Sequence, residues 1–389
     1  MINLAPGVSL LLAAGFCLAG EPVADPYKEA KPTHSTHSTH STQDTAEEAF
    51  LPAFSLEAAT GYLDRRAHLM ERNCYACHST FTYLPARSLI DPLADEVMRA
   101  RILLERIMTM LHDPSQAAQV KTQHISRVRI LAALELARHD AATTGKLAPI
   151  TRQSLDAMWK LQTPQGGIAW LHVGEAPQAI DDWWPVVMIA LGVAAAPESY
   201  AETEPAKANL EKLRGWFRAH PPQTLHERAL TLVAHSAIGG ILDDKARTGH
   251  IEALFAKQQA DGGWSMPDIA PWERKDKKPL NPAQTDGYAT ALSVYAIARS
   301  GIVPTEPRLK KAVGWIKTHQ RETGGWFTQS PFARDIISSN TGTSFAIQAL
   351  AACGEIISPK VTAAQFAAAH ARAEKEVPAG QYMPNPSNP

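Results

Sequence analysis

The most specific chemical motif in the sequence is the run Cys74-Tyr75-Ala76-Cys77-His78. Two thiols at this spacing can each bond one vinyl group of the same porphyrin, and the histidine that follows can donate a ring nitrogen to the iron. The C-x-x-C-H pattern is therefore typical of c-type haem attachment. We predict haem c as the cofactor, bound covalently through Cys74 and Cys77, with His78 as the axial ligand of the haem iron.

Other chemistries fit the same pair of thiols. A C-x-x-C pair can form a redox disulfide or remain a free dithiol, and it can supply half of a zinc site. Zinc would need a second pair of ligands, yet the other cysteines are Cys17, near the amino terminus, and Cys353, near the far end. We therefore favour haem, with a disulfide or dithiol as the alternative.

Residues 1–20 have the pattern of an export signal. An apolar segment from Val8 to Leu18 is followed by small residues where a peptidase could cut, although no Lys or Arg precedes it. Cys17 would also permit lipid anchoring, but Phe16 before it is a poor fit for such a processing site. We predict a signal peptide and a periplasmic or other extracytoplasmic location, which agrees with haem attachment outside the cytoplasm.

Composition divides the remainder of the chain. Residues 21–54 are rich in Pro, Thr, Ser and His, so they bury too little apolar surface to fold and are predicted to be a disordered tether. A folded body is expected over 55–358, with a tail over 359–389. The net charge of −1 gives no basic surface for nucleic acid. No apolar run after the leader reaches the roughly 18 residues of a membrane span, so we do not expect a transmembrane protein.

The body has helical apolar spacing and an internal repeat. Leu103, Ile107 and Met110 lie on one helical face, as expected for a buried stripe. Further along, Gln320 precedes Gly324-Gly325-Trp326, and Gln258 precedes Gly262-Gly263-Trp264 at the same spacing. A third copy begins at Gln162, with its tryptophan displaced to Trp170.

This repeat resembles the QW repeat of squalene–hopene cyclases, other terpenoid cyclases and protein prenyltransferases. The resemblance implies an all-α fold, a single (α/α)6 toroid of six helical hairpins. Each glutamine is expected to hydrogen-bond the backbone at a neighbouring helix end. Met70 aligns with the glutamine in the first hairpin, so the haem motif replaces a Gly-Gly turn there. The expected hairpins are about 55–90, 91–141, 151–200, 206–242, 248–302 and 307–357.

The catalytic equipment of that family is not evident in the sequence. The cyclases protonate an alkene with a D-x-D-D acid motif, which this chain lacks; its Asp-Asp pairs, Asp181-Asp182 and Asp243-Asp244, are expected to cap helices or lie in turns. Asp286 is nearest in position to a zinc ligand of the prenyltransferases, but we expect it to begin an inner helix as an N-cap, as Asn340 does in the next hairpin.

Two functional classes follow. The first is an exported haem protein with an electron-transfer or redox-sensing role, an unknown redox partner and the toroid as scaffold. The second is an enzyme acting on an isoprenoid or other apolar ligand in the toroid cavity, with the cysteines as a disulfide. No catalytic residue is assigned. Residues after the motif that could supply a sixth iron ligand are Met98, Met108, Met110, His112 and His124. The methionines are expected to be core side chains, so we expect a histidine, a water or an open sixth position.

Overall fold

The computed structural model describes residues 44–71, 80–117, 122–170, 177–178, 180–204, 206–332 and 335–377. These residues form helices and loops, and they contain isolated bridges but no strand. The α-helices are α1 (Leu56–Glu71), α2 (Thr80–Arg87), α3 (Asp95–His112), α4 (Pro114–Ala117), α5 (Thr122–Ala142), α6 (Pro149–Met158), α7 (Trp183–Ala195), α8 (Ala206–Ala219), α9 (Leu225–Ile238), α10 (Asp244–Phe255), α11 (Met266–Ile269), α12 (Gly287–Arg299), α13 (Pro307–Thr318), α14 (Asp335–Ala352) and α15 (Ala363–Glu376).

Six of these helices form a closed inner ring. In the order α2, α5, α7, α9, α12, α14, each packs against the next, and α14 packs back against α2. The outer helices α1, α3, α6, α8, α10 and α13 each pack against the inner helix of the preceding pair, so α1 lies against α14. The predicted all-α toroid and its six hairpins are confirmed.

The sequences of the two layers explain their positions. In α14 every side chain from Ser338 to Leu350 is buried, and the run is dominated by Ser, Thr, Ala and Gly, which allow close approach on all sides. The outer helix α13 instead buries Leu309, Val313 and Ile316 on one face and exposes Lys310 on the other. An apolar stripe suits a helix with water on one side.

The repeated glutamines join successive hairpins. In each copy the glutamine Nε2 donates to a backbone carbonyl at the start of the next outer helix: Gln162 to Asn209, Gln258 to Arg308, and Gln320 to Ser55. It also donates to the glycine carbonyl of its own turn. The predicted structural role of the glutamines is confirmed.

The repeated tryptophans fill the space between the two helices of a hairpin. Trp264 and Trp326 are buried, and each indole Nε1 donates to a carbonyl of its own outer helix, at Leu254 and Ile316. Their backbone amides donate to a threonine of the inner helix that follows. A single side chain thus fixes the distance between two layers.

The ring closes at a seam between its last turn and its first helix. Gly324 has φ +95°, and a Cβ there would lie 2.0 Å from the carbonyl oxygen of Ala58. A Cβ on Gly325 would lie 2.6 Å from the ring of Tyr62. No residue other than glycine fits this approach.

A strap formed by residues 44–54 covers the seam. Asp44 accepts hydrogen bonds from the Tyr62 hydroxyl and from Arg66, and all three groups are buried. Leu51 donates its amide to the Gln320 carbonyl. Helix α1 is therefore held by the strap that precedes it in the chain and by the last Gly-Gly turn.

The structure differs from the sequence expectations in several boundaries. The described body extends past 55–358 at both ends, because the strap covers the seam and α15 packs on α3 through an apolar cluster that includes Met98, Ala369 and Val377. Helix α14 begins at Asp335, so the expectation that Asn340 begins this helix was wrong. Within the described residues, no helix is both long enough and apolar enough to cross a bilayer.

Candidate functional site

The cysteine-histidine motif lies in the link between α1 and α2, the two helices of the first hairpin. Cys74, Cys77 and His78 themselves fall outside the described residues, and their assignment as haem ligands stays a prediction. The position of the link can be compared with the other hairpins. Tyr62 packs on Gly325 in the turn of the neighbouring hairpin, just as Trp315 packs on Gly263. Helix α13 ends at Thr318, whereas α1 continues to Glu71.

This comparison changes the expected alignment of the first hairpin. Counting from Tyr62 as from Trp315, the position of Gln320 corresponds to Ala67 and not to Met70. Helix α1 thus continues past the point where α13 gives way to its turn. The first hairpin therefore has extra helix before the link that carries the motif, unlike the hairpins that have a Gly-Gly turn.

A partly buried ion pair joins the two helices that flank the motif. Asp64 on α1 accepts hydrogen bonds from the Tyr83 hydroxyl at 2.6 Å and from Arg87 Nε at 2.7 Å, both on α2. Burial raises the pKa of Tyr83 well above its ordinary value, with the charge of Asp64 adding to the effect, so Tyr83 stays a neutral donor. The guanidinium of Arg87 is buried, and the carboxylate of Asp64 is partly buried. The hairpin on either side of the motif is thus rigidly paired.

The candidate sixth ligands are placed in different environments. Met98 and Met108 are completely buried in apolar clusters, Met98 against α15 and Met108 within the main core. His112 lies at the end of α3 with its Nε2 3.3 Å from the Ser154 hydroxyl, and burial lowers its pKa. Met110 is half-buried, and the side chain of His124 is outside the described part of α5. The two buried methionines are core residues, as expected.

Side chains of α14 cross the centre of the ring, which we call the hub. Thr341 accepts a hydrogen bond from Gln178, Phe345 contacts Trp184 with ring centroids 5.9 Å apart, and Gln348 accepts from Arg138. Trp184 lies on α7, which is opposite α14 in the ring order. Phe345 also contacts Tyr288 and Tyr295 of α12. At the level of Phe345 the hub is a packed aromatic cluster.

The Asp-Asp pairs occupy helix starts. Asp243 accepts from the Ala246 amide and caps α10, while the side chain of Asp244 is 95% exposed and pairs with Arg247. At α7 it is Asp181 that accepts from the Trp183 amide, and Asp182 makes no capping bond, so the capping role expected for Asp182 belongs to its neighbour. None of these four side chains is buried.

Asp286 is the N-cap of α12, as expected. Its carboxyl accepts from the amides of Ala289 at 3.1 Å and Met266 at 2.7 Å. Burial raises its pKa to about 8, although the backbone donors oppose the shift. Because the carboxyl is occupied by backbone amides that would otherwise lose their acceptor, we assign it a structural role.

Sequence reasoning missed Glu135, which lies on the inner helix α5. It is buried, and its Oε2 has no hydrogen-bond partner among the described residues. Burial raises its pKa well above the ordinary value, against the opposing charge of Arg138 one turn away. Since Arg138 reaches Gln348 across the hub, helical spacing places Glu135 on the same face. The sequence feature that could have identified Glu135 is its position as the single acidic residue within the apolar run Ile130–Ala137.

The described residues contain no group of three or more His, Cys, Asp or Glu side chains arranged to hold a metal ion. The free thiol of Cys353 is buried, and burial raises its pKa to about 11. It is therefore a poor nucleophile at neutral pH.

The sequence matches no protein-family model and no curated protein. Among solved structures, a wild-type glycosidase is similar at 12% identity and a TM-score of 0.46, over 78% of this chain and 99% of that one. A variant of the type II terpene cyclase MstE from Scytonema, in complex with geranylgeranyl dihydroxybenzoate, is similar at 16% identity and a TM-score of 0.46, over 76% of this chain and 99% of that one. The toroid is established by the order of helix contacts in this chain.

Proposed function

We propose that the protein is an exported c-type haem protein with an electron-transfer or redox-sensing role, in which the helical ring is the scaffold. The observation that carries the proposal is the complete C-x-x-C-H motif at 74–78, placed in the link of the first hairpin, where three other hairpins have a Gly-Gly turn. Haem supplies the redox chemistry, and the chain supplies attachment, ligation and the surroundings that set the potential.

The donor set and its flanks support this proposal. Two thiols and an imidazole are the groups that a covalent haem needs, and the link that carries them joins helices held together by Asp64, Tyr83 and Arg87. Because Met98 and Met108 are core residues, we expect a histidine, water or an open position opposite His78.

The test is covalent retention of haem after expression in a periplasm that matures c-type cytochromes. Haem mass should remain on the peptide containing residues 74–78 after acid denaturation. Cys74→Ala or Cys77→Ala should weaken or abolish retention, whereas the control Cys353→Ala should not. His78→Ala should alter the absorption spectrum and the reduction potential of any attached haem. Absence of haem mass on this peptide, in a host that matures other cytochromes, would end the proposal.

The export part of the proposal has its own measurement. Mass analysis of the protein recovered from the periplasm should show an amino terminus near residue 20 or 21, as the predicted signal peptide requires. A protein retained in the cytoplasm with Met1 or Ile2 at its amino terminus would contradict export.

A second candidate is an enzyme that acts on an isoprenoid or other apolar ligand at the hub. It is favoured by one observation, the buried acid of Glu135 on the hub side of α5, whose pKa is raised by burial and which lies within the same ring as the aromatic side chains around Phe345. Its distinguishing outcome is a colourless protein that converts an apolar alkene substrate. A red protein with retained haem and no turnover favours the first candidate.

A further inference from the structure

A cavity of about 490 Å³ lies beside the seam, between the strap, the loop before α12 and the last turn. Its volume is within the range of small-molecule sites, about 300–1,000 Å³. It lies apart from the cysteine motif in sequence and uses none of the residues of the haem proposal. The side chains that matter for recognition are Phe50, Asn281, Gln284, His319, Arg321 and Phe327.

Donors on Arg321, Asn281 and Gln284 border this cavity and have no acceptor among the described residues. Arg321 donates through Nη1 to the Glu48 carbonyl, which leaves Nη2 without a protein acceptor among the described residues. Asn281 accepts the Ala283 amide on Oδ1, so its Nδ2 points away from that bond and has no acceptor there. The side-chain amide of Gln284 makes no hydrogen bond to the described residues. A ligand with several acceptor oxygens satisfies these three donors together, and the two amides also present an acceptor oxygen of their own.

The loop that carries two of these donors is held in place. Gln329 accepts the Asn281 amide at 2.6 Å and donates to the carbonyls of Asn281 and Gln284 at 3.1 and 3.0 Å. Its side chain is buried. The donors therefore sit on a backbone that is already fixed before a ligand arrives, which lowers the entropy cost of binding.

The other walls are aromatic. The guanidinium of Arg321 lies over the Phe50 ring at 4.1 Å and within 6.0 Å of the Phe327 ring. His319 stacks on Trp315 at 4.3 Å and contacts the edge of Phe50 at 4.9 Å. Burial lowers the pKa of His319, so at neutral pH the imidazole adds an apolar surface more than a charge. An arginine among aromatic rings suits an anionic group on an apolar body.

The geometry points to a binding site for a small organic carboxylate, with its oxygens toward Arg321, Asn281 and Gln284 and its apolar part against the aromatic wall. Glu47 also borders the cavity, and its exposed carboxylate opposes an anionic ligand. Exposure allows solvent and salt to screen that charge, while the half-buried Arg321 is screened less.

Because Arg321 attracts a carboxylate and Glu47 repels it, adding a negative charge and removing one should change carboxylate binding in opposite directions. Gln284→Glu adds a negative charge inside the cavity and should weaken carboxylate binding about tenfold, whereas Glu47→Gln removes one and should strengthen it about two- to fivefold. Gln223→Glu, on an exposed loop elsewhere, is the matched control and should change nothing. None of these side chains holds the strap or the seam, and thermal unfolding of each variant verifies the fold.

Binding is measured on the full chain by calorimetry or ligand-detected NMR with acetate, hexanoate and benzoate, and with benzamide and glucose as neutral probes. We expect saturable binding of benzoate or hexanoate, with benzamide weaker by about tenfold, since a neutral amide cannot make the charge-assisted hydrogen bond of a carboxylate to Arg321. The proposal is overturned if no carboxylate binds, if benzamide binds as well as benzoate, if glucose binds in place of the acids, or if Gln284→Glu leaves binding unchanged. Haem retention does not enter this measurement.

Discussion

Glu135 has a carboxyl group without a hydrogen bond to Oε2 in an inner helix that is otherwise apolar at this point. The burial that raises its pKa also makes the folded state bind a proton that the unfolded chain releases above about pH 4.3. The sign follows from proton linkage. The contribution of this acid to stability is complete below the unfolded pKa and is lost as the pH rises toward the raised folded pKa.

Glu135→Gln should remove this dependence. Glutamine is nearly isosteric and has no proton to take up, so the variant should be more stable than the natural chain at pH 8 and closer to it at pH 4.5. Urea unfolding at several pH values measures the difference. Glu57→Gln on an exposed position of α1 is the control. Parallel pH profiles for Glu135→Gln and the natural chain would show that the carboxyl is not neutral in the fold.

Residue types revealed some of these roles and concealed others. The capping role of Asp286 was predictable because an aspartate before a helical run satisfies free amides locally. The environment of Glu135 was not, because an acid on an inner helix becomes buried only when five other hairpins surround it. The donors of the cavity were equally hidden, since Arg321 lies in a different segment of the chain from Asn281 and Gln284.

At the scale of helices, the six hairpins were predictable and their edges were less so. Repetition locates hairpins because each copy of the glutamine and tryptophan makes the same contacts. Helix α14 starts earlier than expected because Asp335 lies in its first turn and Ser338 donates to Ser330. Helix α15 has no counterpart in the repeat, so the sequence pattern provided no reason to include it in the folded body. Its packing on α3 shows that it belongs there.

Helix α15 is attached by charged groups as well as by apolar contacts. His370 Nε2 lies 2.8 Å from Glu105 Oε2 on α3, and Arg106 donates to the Val377 carbonyl. The hydrogen bond to Glu105 raises the pKa of His370, while Arg101 opposes that shift. A raised folded pKa means that this stabilisation is present below about pH 6.5, the unfolded value, and is lost as the pH rises through the folded value.

The docking of α15 should therefore weaken in mildly alkaline solution. Hydrogen exchange, corrected for its intrinsic pH dependence, should show easier opening of residues 363–376 at pH 8.5 than at pH 6. His370→Gln should reduce this difference and make opening at pH 6 a few-fold easier, as expected for a partly exposed pair worth about 0.2–1 kcal/mol. An unchanged pH dependence in His370→Gln would assign the attachment to apolar packing alone.

At the scale of the whole molecule, the seam is one of several equivalent joints. Gln320 makes the same two donor bonds as Gln258, and in addition its Oε1 accepts the Ser55 amide at 2.7 Å. The strap adds Asp44 and its two partners. The joint between the first and last hairpins is thus reinforced beyond an internal one.

This difference can be measured by paired substitutions. Gln258→Met and Gln320→Met each remove hydrogen bonds to backbone carbonyls and should lower the free energy of unfolding by about 1–3 kcal/mol. Gln320→Met should cost about 1 kcal/mol more, because it also leaves the Ser55 amide without its acceptor. Chemical denaturation of both variants, with Gln223→Met as an exposed control, gives the values. An equal or smaller cost for Gln320→Met would mean that the strap alone holds the joint.

The closed ring also sets an order of events during protein synthesis. Ser55 and Gln320 are separated by 265 positions in the chain, so the first helix leaves the ribosome long before its partner exists. At roughly 5–20 residues per second, the surface of α1 that receives Gly325 and α14 waits on the order of tens of seconds.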